Sequence, residues 1–368
     1  MRKLLVTMLL VYCQNLFCIS AMAQADNTAP LKLATTNDLF VTDEILELTL
    51  SGNVNAVLKD RGTESKYHPL TLLYKPKDGE EISFPVDVKT RGHFRRLKSN
   101  CVYPPLLINF SKSELLKTSV FNGQDKLKLV MPCMGDEYIV REWLVYKLYN
   151  LVTLQSFKCR LVRIKLEPVD SKKVTPPFYG LLLEEEKQMA KRNQQIIVTK
   201  KIRPDQTYED AFLKMAVFEY LIGNTDWSIE FLQNIKLIAE NADALLPVPV
   251  PYDFDHAGIV NTPYAMPQED LLLTSIKERR YRGYCVRDLK VFDSTIALFN
   301  RLKDEIYSTY TNCTLLNDRY IKSTLKYLDD FYYTINNKAA MKRAFNYPCD
   351  PSGTGNIIIK GMRKDSKN

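Results

Sequence analysis

Three neighbouring stretches carry side chains of the kind that handle metals and phosphates: Asn224-Thr-Asp226-Trp-Ser, Gln233-Asn234 and Pro251-Tyr-Asp253-Phe-Asp255-His256. A helix stopped by Gly223 presents Asn224 and Asp226 from a polar loop. A short strand, Ile235 to Ile238, opens with Asn234, and a turn leads back along Val248 to Tyr252 and the pair Asp253 and Asp255. A hairpin with acids at both open ends brings Asp226, Asn234 and Asp253 together. Like charges that close shift one another's pKa values unless a cation lies between them. Such oxygen donors suit Mg²⁺, which takes one or two carboxylates and completes its shell with phosphate oxygens and water. Phosphoryl transfer has these needs: an acid beside the attacking hydroxyl, and an Asn and an Asp on the metal ions.

Plainer readings stand beside this one. An Asn-x-Asp loop is turn or capping chemistry elsewhere. Asp253-Phe-Asp255 lacks the further oxygen ligands of an EF-hand. His256 is expected as a hydrogen-bonded neighbour of Asp255 rather than a base. Arg91, Arg95 and Arg96 read either as a solvated strand edge or as a phosphate clamp. Trp143 and Trp227 read as packing residues, and Glu184 to Glu186 as a solvated turn. Arg279, Arg280, Arg282 and Arg287 follow the acidic motif and serve either an acidic substrate or the local surface.

The elements that must position these groups read as an α+β chain. From Leu39 to about Cys133 short alternating or apolar runs predict strands at Ile45–Leu50, Ile82–Val88, Leu106–Phe110 and Leu127–Val130, with a turn signal at Lys77-Asp-Gly-Glu80. Glu137 to Leu151 predicts a largely buried helix, and Cys159–Leu166 and Tyr179–Leu183 two further strands. Thr207 with Asp210 reads as a capping-box start for a helix over Tyr208–Ile222 that Gly223 ends. Helices are expected at Asp288–Tyr310 and Asn317–Asn336, and a polar tail at 363–368.

Composition bounds the class. The 368 residues are 45% hydrophobic and 26% charged, ordinary globular values that exclude disordered and low-complexity classes. Arg2 and Lys3, an apolar run from Leu4 to Ile19 and Ala21-Met-Ala23 match a secretory leader over 1–23, which predicts export to the periplasm or beyond. Without it the net charge falls from +8 to +6, scattered among acids, which argues against a nucleic-acid partner. No later run is long and apolar enough to predict a membrane span in the mature chain. Six cysteines remain, and Cys101 with Cys133 is the expected disulfide, since the two bracket strand-like segments of one region. No C-x-x-C pair occurs.

The order helix, Asn-x-Asp, Asn, hairpin, Asp-x-Asp resembles the spore-coat CotH kinases and, more distantly, HipA-type and secreted kinases of the protein-kinase-like superfamily. Upstream, Val88-Lys-Thr-Arg91-Gly92, Ile139-Val-Arg141-Glu142 and Phe178-Tyr-Gly180-Leu-Leu-Leu-Glu184 resemble segments of the same proteins, in the same order. The chain is also similar to a group of secreted bacterial proteins that carry Arg-Gly-x-x-Arg-Arg, Asn-Thr-Asp-Trp-Ser and Pro-Tyr-Asp-Phe-Asp. The resemblance implies a two-lobed protein-kinase-like fold, with a β-rich N-lobe over 24–183 and a mainly helical C-lobe over 184–362. It implies Asp226 as the acid or base on the substrate hydroxyl. Asn234 and Asp253 would be metal ligands, with Asp255 as the alternative. It also implies Lys126 or Lys128, oriented by Glu142, or else Arg91, on the phosphates, with the backbone near Glu184 facing an adenine ring. ATP and Mg²⁺ (or Mn²⁺) are the implied cofactors, and a protein or glycan hydroxyl of the cell envelope the implied acceptor.

The chain departs from that pattern in places. Asp226 to Asn234 is longer than the step of about five residues in protein kinases, Trp227 stands where relatives carry Arg or His, and no Gly-rich phosphate loop is evident. Pro104 to Phe110 carries no lysine. The alternative expectation is therefore a catalytically inactive binding or scaffold protein of the same fold; a third class is a metal-dependent phosphate-ester hydrolase.

Overall fold

The computed structural model describes residues 38–76, 79–111, 114–169 and 175–347, all within one compact unit, Ala34–Asn368. The leader over 1–23, the turn residues 77–78, Cys349 and the tail at 363–368 lie outside the described residues. Five strands open the chain: β1 (Leu46–Gly52), β2 (His68–Tyr74), β3 (Ile82–Thr90), β4 (Leu106–Phe110) and β5 (Lys126–Val130), with short helices α1 (Val54–Lys59) and α2 (Glu114–Lys117) between them. Helix α3 (Glu137–Val152) and strands β6 (Cys159–Pro168) and β7 (Phe178–Leu183) follow.

These strands close into a barrel in the order β1-β2-β3-β4-β5-β7-β6. Parallel pairing of β1 with β6, Leu46 opposite Val162, shuts it and leaves no free edge. Alternation sends one side chain in two inward: Leu48 and Leu50, Leu70 and Leu72, Phe84 and Val86, and Ile108 fill the interior. The sequence foresees β1, β3, β4, β5, β6 and β7 but not β2, and it does not foresee the closure, because the β1–β6 pair joins segments with most of the barrel between them.

The remaining chain forms α4 (Glu186–Arg192), β8 (Ile196–Val198), α5 (Glu209–Ile222), β9 (Ile235–Ala239), β10 (Val248–Pro251), α6 (Asp293–Arg301), α7 (Lys303–Thr311), α8 (Asp318–Asn336) and α9 (Lys338–Ala344). The expected hairpin is present: β9 and β10 pair antiparallel, Ile235 opposite Pro251, with β8 on the outer side of β9. A second hydrophobic core gathers α3, α5, the hairpin and the C-terminal helices. Helix α3 is apolar around most of its circumference, as its sequence predicts, because β6, β7, α5 and α7 all pack against it. Among the described residues no helix is long and apolar enough to cross a membrane.

Three local expectations are corrected. The helix expected over Asp288–Tyr310 breaks into a single turn at Leu289–Phe292, α6 and α7, with Leu302 between the last two. Thr207 does not cap α5; its hydroxyl donates to the carbonyl of Pro204 at 2.7 Å, and Tyr208 holds the cap position without a side-chain bond. Glu184 to Glu186 is not a solvated turn. Glu184 is buried against Arg192, Glu185 caps α4, and Glu186 begins that helix. An acid run looks like surface in sequence because its buried cation lies a helix turn or more away.

The disulfide expected between Cys101 and Cys133 forms. It ties the segment after β3 to the loop entering α3, and thereby sets where residues 91–100 lie.

Candidate functional site

Helix α5 ends at Gly223, whose φ of 68° is left-handed and whose missing side chain makes room for Tyr327; an added Cβ would meet that hydroxyl at 2.0 Å. Gly223→Ala is expected to cost at least about 1–2 kcal/mol, and to disturb the following loop. Thermal denaturation checks this, and an unchanged midpoint would show that the turn adapts.

The loop after Gly223 is held from several sides. Asn224 Oδ1 accepts from the backbone N–H of Asp226 at 3.0 Å. Arg282, buried, donates to the carbonyls of Thr225 and Trp227, the latter at 2.7 Å. This fixes one of the four arginines after the acidic motif as a brace for the loop. Arg279, stacked 3.5 Å from the centroid of the Tyr327 ring, donates to the carbonyls of Leu221 and Tyr327. Trp227 is buried, as expected of a packing residue.

Asp226 and Asn234 meet. Asn234 Nδ2 donates to the Asp226 backbone carbonyl at 2.7 Å and to its Oδ2 at 3.1 Å, while Gln233 Nε2 donates to Oδ1. Asn234 and Asp253 have φ of 52° and 65°, a left-handed backbone that non-glycine residues seldom adopt and that gathers at functional sites. Burial raises the Asp226 pKa, and Asp255 adds to that.

Asp253 is placed by α3. Its backbone N–H donates to the Tyr146 hydroxyl at 2.9 Å, one helical turn beyond Glu142 on the same face. Arg95 joins the pieces. Its Nε donates to Asp255 Oδ2 at 2.8 Å and its Nη2 to Glu142 Oε2 at 3.2 Å, with Asp255 Oδ2 also accepting from the Tyr264 hydroxyl at 2.9 Å. Arg95, Glu142 and Asp255 are 8%, 1% and 5% exposed. Burial opposes the Arg95 charge, but Asp255 and then Tyr264 and Glu142 outweigh it and raise its pKa well above the usual value. Against burial, Arg95 holds Asp255 below the ordinary carboxylate range. Burial, with Asp255 close by, pushes Asp253 up to about 6, and burial pushes Glu142 up to about 8.

Three expectations change here. Neither Lys126 nor Lys128 pairs with Glu142: Arg95 takes that place. Lys126 is exposed, and Lys128 reaches Glu186 at 3.8 Å instead. Arg95 is thus neither a solvated edge nor a free phosphate clamp. The Arg-Gly-x-x-Arg-Arg motif held this signal, yet the sequence does not show that Gly92, with φ of 81°, turns the chain so that Arg95 points inward. His256 makes no hydrogen bond to Asp255; its Nδ1 is buried without a partner and its ring packs against Phe94 and Tyr264.

Lys128 and Lys236 approach Glu186 and the Tyr252 ring beside this group. Lys236 Nζ lies 2.8 Å from Glu186 Oε2, and both lysine ammoniums lie 5.6 Å from the Tyr252 ring centroid. Arg91 is close enough to act on the charges of Lys128, Glu186 and Asp253. Lys236 and Tyr252 were not singled out in the sequence; alternation along β9 from Asn234 was the available signal. Glu184, expected near an adenine ring, has its N–H bonded to the Lys158 carbonyl at 2.9 Å. Among the described residues no three His, Cys, Asp or Glu side chains are set to hold a metal ion. Asn234 and Asp253 thus offer at most a partial shell, of the kind Mg²⁺ completes with phosphate and water.

No family model matches the chain, and no curated protein does. Among solved structures it is similar to a Helicobacter pylori proinflammatory kinase, CtkA, at 12% identity and a TM-score of 0.39, over 70% of this chain and 94% of that one. A likeness that distant does not place the chain in a family.

Proposed function

We propose that the chain is an exported phosphotransferase of the protein-kinase-like type. It takes a Mg²⁺- or Mn²⁺-bound nucleotide such as ATP as donor and a protein or surface-glycan hydroxyl of the envelope as acceptor. Its two lobes meet after residue 183. The supporting observation is a crowd of carboxylates: buried Glu142 and Asp255 share the guanidinium of Arg95, and half-buried Asp253, its pKa raised by burial and by Asp255 despite Arg95 and Arg91, lies beside them with Asp226 and Asn234. Buried carboxylates without full compensation take up a proton or hold a cation.

In this reading Asp226 accepts the acceptor hydroxyl's proton, and its raised pKa suits that task. Gln233 and Asn234 fix its orientation. Asn234, whose amide nitrogen is spent on Asp226, ligates through its oxygen together with Asp253. Asp255, bound to Arg95 and Tyr264, positions Asp253 rather than acting as the alternative ligand. The bound divalent ion would neutralise charge developing on the transferring phosphoryl group.

Metal binding should carry a pH signature. Asp253 and Glu142 have folded pKa values of about 6 and about 8, above their unfolded values. The folded state therefore binds extra protons, and the metal-free protein loses stability as pH rises from about 5 to about 8. A divalent ion takes the proton's place. The rise in melting temperature caused by Mn²⁺ should be small near pH 5 and grow towards pH 8; a pH-independent or absent shift would count against the site.

A second reading, a non-catalytic binding or scaffold protein of the same fold, is favoured by Arg95 occupying Glu142 where a kinase places a lysine. Isothermal titration of the full chain with Mg-ATP and Mn-ATP tests the first reading, and no binding with either metal removes it.

A further inference from the structure

One mouth of the barrel holds a charge that its neighbours do not balance. The interior is apolar because every second residue of a strand points inward. On β6 that alternation sends Val162, Ile164 and Leu166 into the barrel core, each 2% exposed or less. Arg160 lies two residues before Val162, so the inward row of β6 begins with a guanidinium.

Arg160 is 6% exposed, yet among the described residues no carboxylate pairs with it. Its Nε donates to the Glu44 carbonyl at 2.9 Å and its Nη1 to the Leu39 carbonyl at 3.1 Å, which braces the chain before β1. Those bonds supply no net negative charge, and they use two of the five N–H donors of a guanidinium. Nη2 is bonded to none of the described residues. Burial lowers the Arg160 pKa, opposed by Glu44 and then Asp43, and Asp43 is itself engaged by Lys147.

The guanidinium lines a cavity of about 310 Å³ at this mouth, together with Leu46, Tyr74, Ile82 and Val120. Small-molecule sites have such volumes, and barrel mouths are a common place for them. Deeper in, Leu48, Leu72 and Phe84 fill the barrel, and the Tyr74 ring packs edge-on against Phe121, so a ligand stays in the mouth. Among the described residues Arg160 is the one cation lining the cavity. A buried cation without a counter-ion, set among apolar walls, is complementary to a single negative charge on a short apolar body.

We propose that this mouth binds a short-chain aliphatic monocarboxylate, its carboxylate on Arg160 Nη2 and its hydrocarbon tail against Leu46, Tyr74, Ile82 and Val120. A guanidinium suits a carboxylate in geometry, and a bond between the two charged groups is about twice as strong as a neutral one. Each methylene that enters the mouth adds to affinity. The site shares no residue with the acids around Arg95 and is independent of the phosphotransferase reading.

Isothermal titration of the full chain with octanoate, octanol and acetate tests this. Octanoate should bind at least about tenfold more tightly than either of the others, since octanol lacks the charge and acetate the tail. Val120 is half-buried at the rim, so Val120→Trp fills the cavity with Arg160 kept, and should weaken octanoate about tenfold or more. Arg160→Met should do the same and erase the preference over octanol; because Arg160 also braces the chain, Val120→Trp decides if the methionine variant melts early. Octanol binding as tightly as octanoate, acetate binding as tightly as octanoate, octanoate binding unchanged in Val120→Trp, or no octanoate binding at all overturns the inference.

Discussion

Arg95→Met is expected to destabilise the protein by about 3–5 kcal/mol at neutral pH, because it removes one side of a buried ion network and leaves Glu142 and Asp255 unpaired. Methionine keeps much of the arginine's length, so the loss reports charge rather than a cavity. The effect has a direction in pH. Without the guanidinium, Glu142, Asp253 and Asp255 repel one another and gain more from protonation, so the gap between variant and wild type should narrow as pH falls towards about 5. Arg95→Lys keeps the charge but cannot span both carboxylates with a fork of N–H donors, and should fall between the two. Urea denaturation at two pH values reads all of this. A methionine variant within about 0.5 kcal/mol of wild type would mean that the network does not hold α3 to the acidic hairpin.

Asp226→Asn should lower turnover by about 10²–10⁴-fold, measured as phosphate release or self-labelling from Mn-ATP, with little change in nucleotide affinity. Asparagine is nearly isosteric and keeps an oxygen for the amides of Gln233 or Asn234, so the loop should stay in place. What it loses is the capacity to accept a proton. Equal rates for the two proteins would move Asp226 from chemistry to architecture and favour the non-catalytic reading. Loss of affinity alongside turnover would show instead that the asparagine had displaced Asn234.

Much of the arrangement was legible along the chain. Gly223 announces the end of α5. The short runs Ile235 to Ile238 and Val248 to Tyr252 announce β9 and β10, and a two-stranded hairpin can only bring its open ends together, so Asn234 and Asp253 are neighbours by local geometry. The pairing of Cys101 with Cys133 was legible for a similar reason, since both flank strands of one sheet. The helix break at Leu302 was not: its flanks keep a helical pattern, and only the docking of α6 and α7 separates them.

Sequence alone determined which residue types reach the site and in what order, because strand alternation, helix spacing and turn chemistry act over a few residues. The partner of each buried charge was decided by the tertiary structure. Glu142 faces Arg95 rather than a lysine of β5, Lys128 turns to Glu186, and Arg282 supports the Asp226 loop from far along the chain. The physical reason is that an ion pair forms where desolvation demands it. Desolvation depends on how the closed barrel, α3 and the hairpin pack, and no local pattern records that packing.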